Sequence, residues 1–168
     1  AYLDGQSLRL TKDDKLRIPV PLYHCFGMVL GTLVCVAHGA TMVLPCEAFD
    51  PEPVVKAVQE EQCTALHGVP TMFIAELDLP NLGTFDLSSL RTGIIAGSTC
   101  PIELMQRLIE LMDPTELVIG YGQTECSPID SMTAIDDSLE ARVTTVGRPH
   151  TNWEMKIGRE DGSIAAIG

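Results

Sequence analysis

The chain has 168 residues, of which 23 are acidic and 11 basic, for a formal charge of −12. That length suffices for one domain with its own core, and a composition of 45% hydrophobic and 20% charged residues excludes a disordered chain. The acidic excess excludes a nucleic-acid surface, which needs Lys and Arg to neutralise phosphates; an anionic ligand would be met by backbone donors, helix N-termini and a metal ion.

Residues 1–15 are polar and mixed in charge, unlike a secretory leader. Leu16 to Leu22 carries strand-forming residues, but Pro19 and Pro21 forbid a regular central strand throughout. Residues 27–38 are almost wholly apolar. The run is too short to cross a bilayer, which takes about 20 residues, and it predicts a buried helix closed by Gly39. Thr41 to Leu44 reads as a short strand. Asp50 as N-cap and Pro51 at the first helical position open a helix to about Glu61. Val54, Val55 and Val58 form its apolar stripe, and Glu60 and Glu61 face water.

The cycle then repeats. Residues 63–69 predict a strand, 70–77 a helix and 93–96 a short buried strand. The clearest helix is 101–112, with Leu104, Leu108 and Leu111 on one side and Asp113-Pro114 as its stop. Leu117 to Ile119 is another short strand. Strands alternating with helices imply an α/β fold, a mainly parallel sheet with helices on both faces. Past Tyr121 the alternation fades, and Trp153 to Ile157 reads as a strand of an antiparallel kind. A single domain over 1–168 is therefore expected, with a β-rich region beginning at about 130–168. The six cysteines stand singly, several in apolar runs. Free buried thiols are expected rather than a disulfide framework or a zinc site, which suits a reducing, cytoplasmic compartment, with peripheral membrane contact left open.

In open parallel sheets, ligands bind at the carboxyl ends of the strands. Three segments fall at such ends: Leu22-Tyr23-His24-Cys25-Phe26-Gly27, Gly97-Ser98-Thr99-Cys100-Pro101 and Gly120-Tyr121-Gly122-Gln123-Thr124-Glu125. Together they suggest one shared crevice. Gly120 and Gly122 let backbone approach a planar ligand while Tyr121 offers a stacking face. Thr124 supplies a hydroxyl for a phosphate oxygen, and Glu125 a hard oxygen ligand suited to magnesium. Taken alone, the segment reads equally well as a strand-to-helix turn in which Thr124 caps and Glu125 faces water.

The residue order adds a resemblance. Tyr121-Gly122-Gln123-Thr124-Glu125 is similar to the Tyr-Gly-x-Thr-Glu signature of the adenylate-forming superfamily, which includes acyl-CoA synthetases, luciferases and nonribosomal peptide adenylation domains. Pro21-Leu22-Tyr23-His24-Cys25-Phe26-Gly27 resembles that family's Pro-Leu-Phe/Tyr-His-x-x-Gly segment, and Val146-Gly147-Arg148-Pro149 its Val-Gly-x-Pro. Gly97 to Pro101 is a looser match to a Gly-Gly-Ala-Pro-like loop. The resemblance implies a fatty-acid–CoA ligase using ATP, coenzyme A and Mg2+. Gly97, Ser98, Thr99, Gly120, Tyr121, Gly122, Gln123 and Thr124 would meet the nucleotide, and Thr124 and Glu125 would be catalytic, with Glu125 on the metal. His24, Gly68, Val69, Gly120, Tyr121 and Gly122 would border the acyl group. An amino-acid or aryl-acid adenylation domain, or a noncatalytic nucleotide-binding module, is the alternative.

Without the resemblance, His24 at a strand end would be read as structural. His67 is expected in the core, with only the Gly68-Val69 backbone at a pocket, and Arg148 is expected as a solvated loop charge. His38 and His150 have no ligand spacing. The family's Pro-Lys-Gly phosphate loop and Thr-Gly-Asp segment are absent from the 168 residues. The chain is therefore expected to be an internal piece of a longer enzyme, inactive without the remainder of its own chain.

Overall fold

The computed structural model describes residues 1–166. In chain order the elements are α1 (Tyr2–Ser7), β1 (Lys15–Arg17), a π-helix (Phe26–Leu33) running on as α2 (Val34–His38), β2 (Thr41–Val43), α3 (Pro51–Glu61), β3 (Ala65–Gly68), α4 (Pro70–Leu77), β4 (Thr92–Ile95), α5 (Ile102–Met112), β5 (Glu116–Tyr121), β6 (Ser131–Met132), α6 (Leu139–Thr144) and β7 (Arg148–Pro149). The sheet order is β2-β1-β3-β4-β5-β6-β7. The first five strands in that order are parallel, and β6 and β7 join antiparallel. The chain moves outward from β1 to β2, then returns to build β3, β4 and β5 on the other side. That reversal is the switch point at which α/β sheets collect ligands.

Helices cover both faces, as the alternation predicts. On one face α3, α4 and α5 pack Val55, Val58, Phe73, Leu77, Leu104 and Leu108 against Leu66, Ile95 and Leu117. On the other, Leu8, Phe26, Leu30 and Val34 cover Leu16, Ala65, Ile94 and Val118. α3 begins as expected: Asp50 accepts from the Glu52 N–H at 3.3 Å, and Pro51 follows. β1 is shorter than its residues suggest. Ile18 still donates to Val43 O at 2.9 Å, and Pro19, which has no N–H, ends the ladder there.

Three expectations are corrected. Leu111 is 47% exposed. At about 100° per residue, the buried stripe of α5 is centred on Leu104, Met105, Leu108 and Met112, and Leu111 sits at its margin; counting leucines alone missed the methionines. The apolar run at 27–38 is not buried throughout, because Met28, Leu33 and Val36 face outward, and its first part is π-helical. Trp153 to Ile157 forms no strand. Those residues are exposed, and the local antiparallel bridge lies further on, between Gly158 and Ile164. Their alternation has no neighbouring strand to bury it among the described residues. The described cysteines are all free, as expected, with Cys35, Cys63 and Cys100 buried and Cys25, Cys46 and Cys126 half-buried. No described helix is long and apolar enough to cross a membrane.

His67 is fully buried in β3, as expected of a core histidine. Its Nδ1 lies 3.0 Å from Leu66 O and its Nε2 2.9 Å from Leu30 O. Burial dominates these carbonyls and pushes the ring down to about 4; Arg17 lowers it further, and the more distant Asp4 opposes this. The folded value lies below the ordinary histidine value of about 6.5, so the unfolded chain takes up the proton first. The contribution of His67 to stability is therefore fully present above about 6.5 and is lost as pH falls toward about 4. Urea midpoints measured from pH 7 to pH 5 should fall less steeply in His67→Gln than in the unaltered protein. Identical pH dependence in the two would contradict the buried neutral ring.

Candidate active site

The three glycine-containing loops leave the carboxyl ends of β1, β4 and β5 on one edge of the sheet. They enclose two cavities. A crevice of about 190 Å3 is lined by His24, Cys25, Phe26 and Leu30 from the first loop and helix, by Ala96 and Gly97, and by Gly122 to Thr124 with Pro128 and Ile129. A wider cleft of about 700 Å3 is bounded by Gly97 to Cys100, Ile119 to Gly122 and the segment Arg142 to Gly147. Gly97 and Gly122 border both.

These two glycines are required where they stand. Gly97 has φ +92, a conformation that side chains rarely tolerate, and a Cβ there would lie 3.1 Å from Val69 Cγ1. At Gly122 a Cβ would fall 1.9 Å from the Pro128 carbonyl oxygen. Both are therefore held as glycine by the packing of the chain itself, against Val69 and Pro128, at the place where the two cavities meet.

The side chains divide by cavity. Tyr121 is 53% exposed and offers its ring to the wider cleft, beside Ser98 and Thr99. His24 lines the smaller crevice; its Nδ1 accepts from the Phe26 N–H at 3.1 Å, which leaves Nε2 as the nitrogen able to carry the proton in the neutral ring. The Thr124 hydroxyl lies 3.3 Å from Cys25 Sγ, joining loops 99 residues apart in sequence. Gln123 lines the crevice too, and its Nε2 donates toward Cys126 Sγ at 3.5 Å. Glu125 stands exposed in the short 3-10 turn Thr124–Cys126 and lines neither cavity. Gly68 is buried against Phe73, and neither it nor Val69 lines the two cavities.

Among the described residues no group of three or more His, Cys, Asp or Glu could hold a metal. A lone exposed carboxylate such as Glu125 fits a cation that keeps its waters and takes its other oxygens from phosphates, which is the habit of magnesium. Arg148 is solvent-exposed, as expected, but it stands in β7 rather than in a loop and pairs with Asp137 at 3.0 Å.

Sequence reading passed over two features of this site. Cys25 was treated only as one residue of a motif, although its thiol touches Thr124. The second is α6, whose C-terminal half and following loop wall the cleft. Its signal was present: Ser138 caps the helix by accepting from the Ala141 N–H at 3.2 Å, and Gly147 closes the segment. Arg142 from α6 donates to Leu117 O at 2.8 Å and so ties this wall to β5.

Comparison with known proteins adds to this geometry. The AMP-binding enzyme family matches residues 2–167. The chain is 49% identical over 164 residues to the acyl-CoA ligase sidI of Aspergillus fumigatus, covering 98% of this chain and 28% of that protein. It is 40% identical over 172 residues to the mitochondrial medium-chain acyl-CoA ligase ACSF2 of Danio rerio, again spanning 28% of the relative's length. Among solved structures, the anthranilate CoA ligase AuaEII in complex with anthranoyl-AMP superposes with a TM-score of 0.88 at 24% identity, over 98% of this chain and 31% of that one. That likeness speaks to the fold alone.

Proposed function

The chain belongs to the AMP-binding enzyme family, and from that premise we propose that it forms the adenylate-holding part of an ATP-dependent fatty-acid–CoA ligase. The observation that carries this reading is the pair of cavities meeting at Gly97 and Gly122, one beside an exposed tyrosine ring and one walled by Phe26, Leu30 and Ile129. An acyl-adenylate has the matching form, a purine nucleotide joined through phosphate to an apolar chain.

In this reading Tyr121 stacks on adenine, and the backbone of Gly97 to Thr99 borders the other side of the ring. The Thr124 hydroxyl donates to an α-phosphate oxygen, and His24 with the Gly120–Gly122 backbone borders the carboxylate. Glu125 would hold magnesium, which, when bound, neutralises charge on the phosphate oxygens. In the first step a carboxylate oxygen bonds to the α-phosphorus and pyrophosphate leaves. In the second the coenzyme A thiol bonds to the acyl carbon, losing its proton, and AMP leaves. The chain contains neither a Pro-Lys-Gly run nor a Thr-Gly-Asp run, so the remainder of the protein would supply the further phosphate and ribose contacts. Free cysteines suit a reducing compartment, and we place the protein in the cytoplasm.

Pyrophosphate release by the complete protein, assayed with straight-chain fatty acids beside benzoates and amino acids, tests the substrate class. The apolar crevice predicts kcat/KM for a fatty acid at least about tenfold above that for an aryl acid, since each buried methylene contributes about 0.8 kcal/mol. A preference for aryl or amino acids would replace the fatty-acid reading.

A further inference from the structure

We infer that His67 is a specificity-determining positioning residue for the acyl crevice, acting through the Leu30 carbonyl; the inference rests on the crevice being the acyl site. His67 touches no lining surface itself. It stands directly behind one: its Nε2 lies 2.9 Å from Leu30 O, and its ring centroid lies 5.6 Å from that of Phe26. Phe26 and Leu30 form the helical wall of the crevice.

That wall is π-helical over Phe26–Leu33. A π-helix is rare beyond a single bulge and is held by its surroundings rather than by its own propensity. The apolar side chains behind it supply burial, which is non-directional and leaves rotation and sliding of the helix open. His67 supplies a directional contact from the rigid sheet, and in the fully buried interior such a bond is costly to leave unmade.

A neutral imidazole carries one N–H, so only one of its two carbonyl contacts can be a hydrogen bond. Thr92 N donates to Thr64 O and Ala96 N to Gly68 O, and this two-residue step places Leu66 O within the β3–β4 ladder. Leu66 O belongs to β3 itself, so a bond to it ties the ring only to its own strand, whereas Leu30 O belongs to the helix. The Nε2–H tautomer gives the one bond that spans sheet and helix. The position of the Leu30 side chain in the crevice then follows from β3 and not from the helix alone.

Two variants separate the two nitrogens. His67→Gln places its amide nitrogen near the Nε2 position and can donate to Leu30 O, whereas His67→Asn is shorter and reaches only the Nδ1 position. In the complete protein we expect His67→Gln to keep the wild-type ranking of straight-chain acids. His67→Asn should raise KM for the preferred acid on the order of tenfold and flatten the chain-length profile, with KM for ATP unchanged. Leu30→Ala, which alters the wall directly, should shift the preferred chain length. If Leu30→Ala leaves every acid unaffected, the crevice is not the acyl site, and both the reading and the inference fall. If Leu30→Ala shifts the profile while Gln and Asn at position 67 behave alike, or neither folds, His67 is only a core residue and the inference alone is overturned.

Discussion

Glu125→Gln in the complete protein is expected to lower acyl-adenylate formation on the order of 100-fold while leaving the melting temperature nearly unchanged. Gln keeps the size and most of the hydrogen bonding of Glu and removes only the charge. The side chain is exposed and makes no ion pair with any described residue, so the fold has little use for that charge. A carboxylate on magnesium, by contrast, acts where phosphate charge must be neutralised, and the loss should be deepest at limiting magnesium. Were Glu125 merely part of a turn, the variant would lose about 1 kcal/mol of stability or less and keep its turnover. Pyrophosphate release across a magnesium titration, beside a thermal melt, separates the two. Near-normal release with an unchanged magnesium requirement would remove Glu125 from the site.

The largest effect on stability is expected at Arg17 and Glu76. Both side chains are 0% exposed, and Arg17 Nη1 meets Glu76 Oε2 at 2.7 Å. Arg17 also lies 5.9 Å from the Phe73 ring centroid, while its Nε and Nη2 and the second Glu76 oxygen have no hydrogen-bond partner among the described residues. Burial pushes the Glu76 carboxyl above its usual range, and Arg17 draws it back only in part. Such a pair adds little net stability over an apolar core, but half of it is costly. Glu76→Ala, which strands the Arg17 guanidinium between β1 and α4, should cost about 3–5 kcal/mol in urea unfolding. Arg17→Met with Glu76→Leu should recover most of that loss. A loss below about 1 kcal/mol for Glu76→Ala would show that water reaches Arg17 and that the charge is not isolated.

The fold and the loop positions were largely legible because local signals set them. Asp50-Pro51 marks a helix start through its own chemistry, and Pro19 ends β1 for lack of an N–H. The three glycine-containing loops could be placed on one edge because each follows a short strand in a parallel sheet, where all carboxyl ends point one way. Contacts between distant residues were not legible. The approach of Cys25 to Thr124 depends on how β1 and β5 are spaced across the sheet, and the tie from His67 to Leu30 O depends on how the π-helix is laid upon β3. The π-helix itself escaped because an apolar run has no periodicity that distinguishes it from an α-helix. Trp153 to Ile157 misled for the opposite reason: its alternation is that of a strand, but a strand needs a partner, and the residues that pair lie at Gly158 and Ile164.

The proposed function requires one ligand to occupy both cavities. A crystal structure of the complete protein with a non-hydrolysable fatty-acyl-adenylate analogue tests this most directly. The predicted result has adenine against Tyr121 in the 700 Å3 cleft, the phosphate mimic passing Gly97 and Gly122, and the acyl chain entering the crevice beside Phe26 and Leu30. Adenine bound away from Tyr121, or an acyl chain that leaves the Phe26–Leu30 wall untouched, would contradict it.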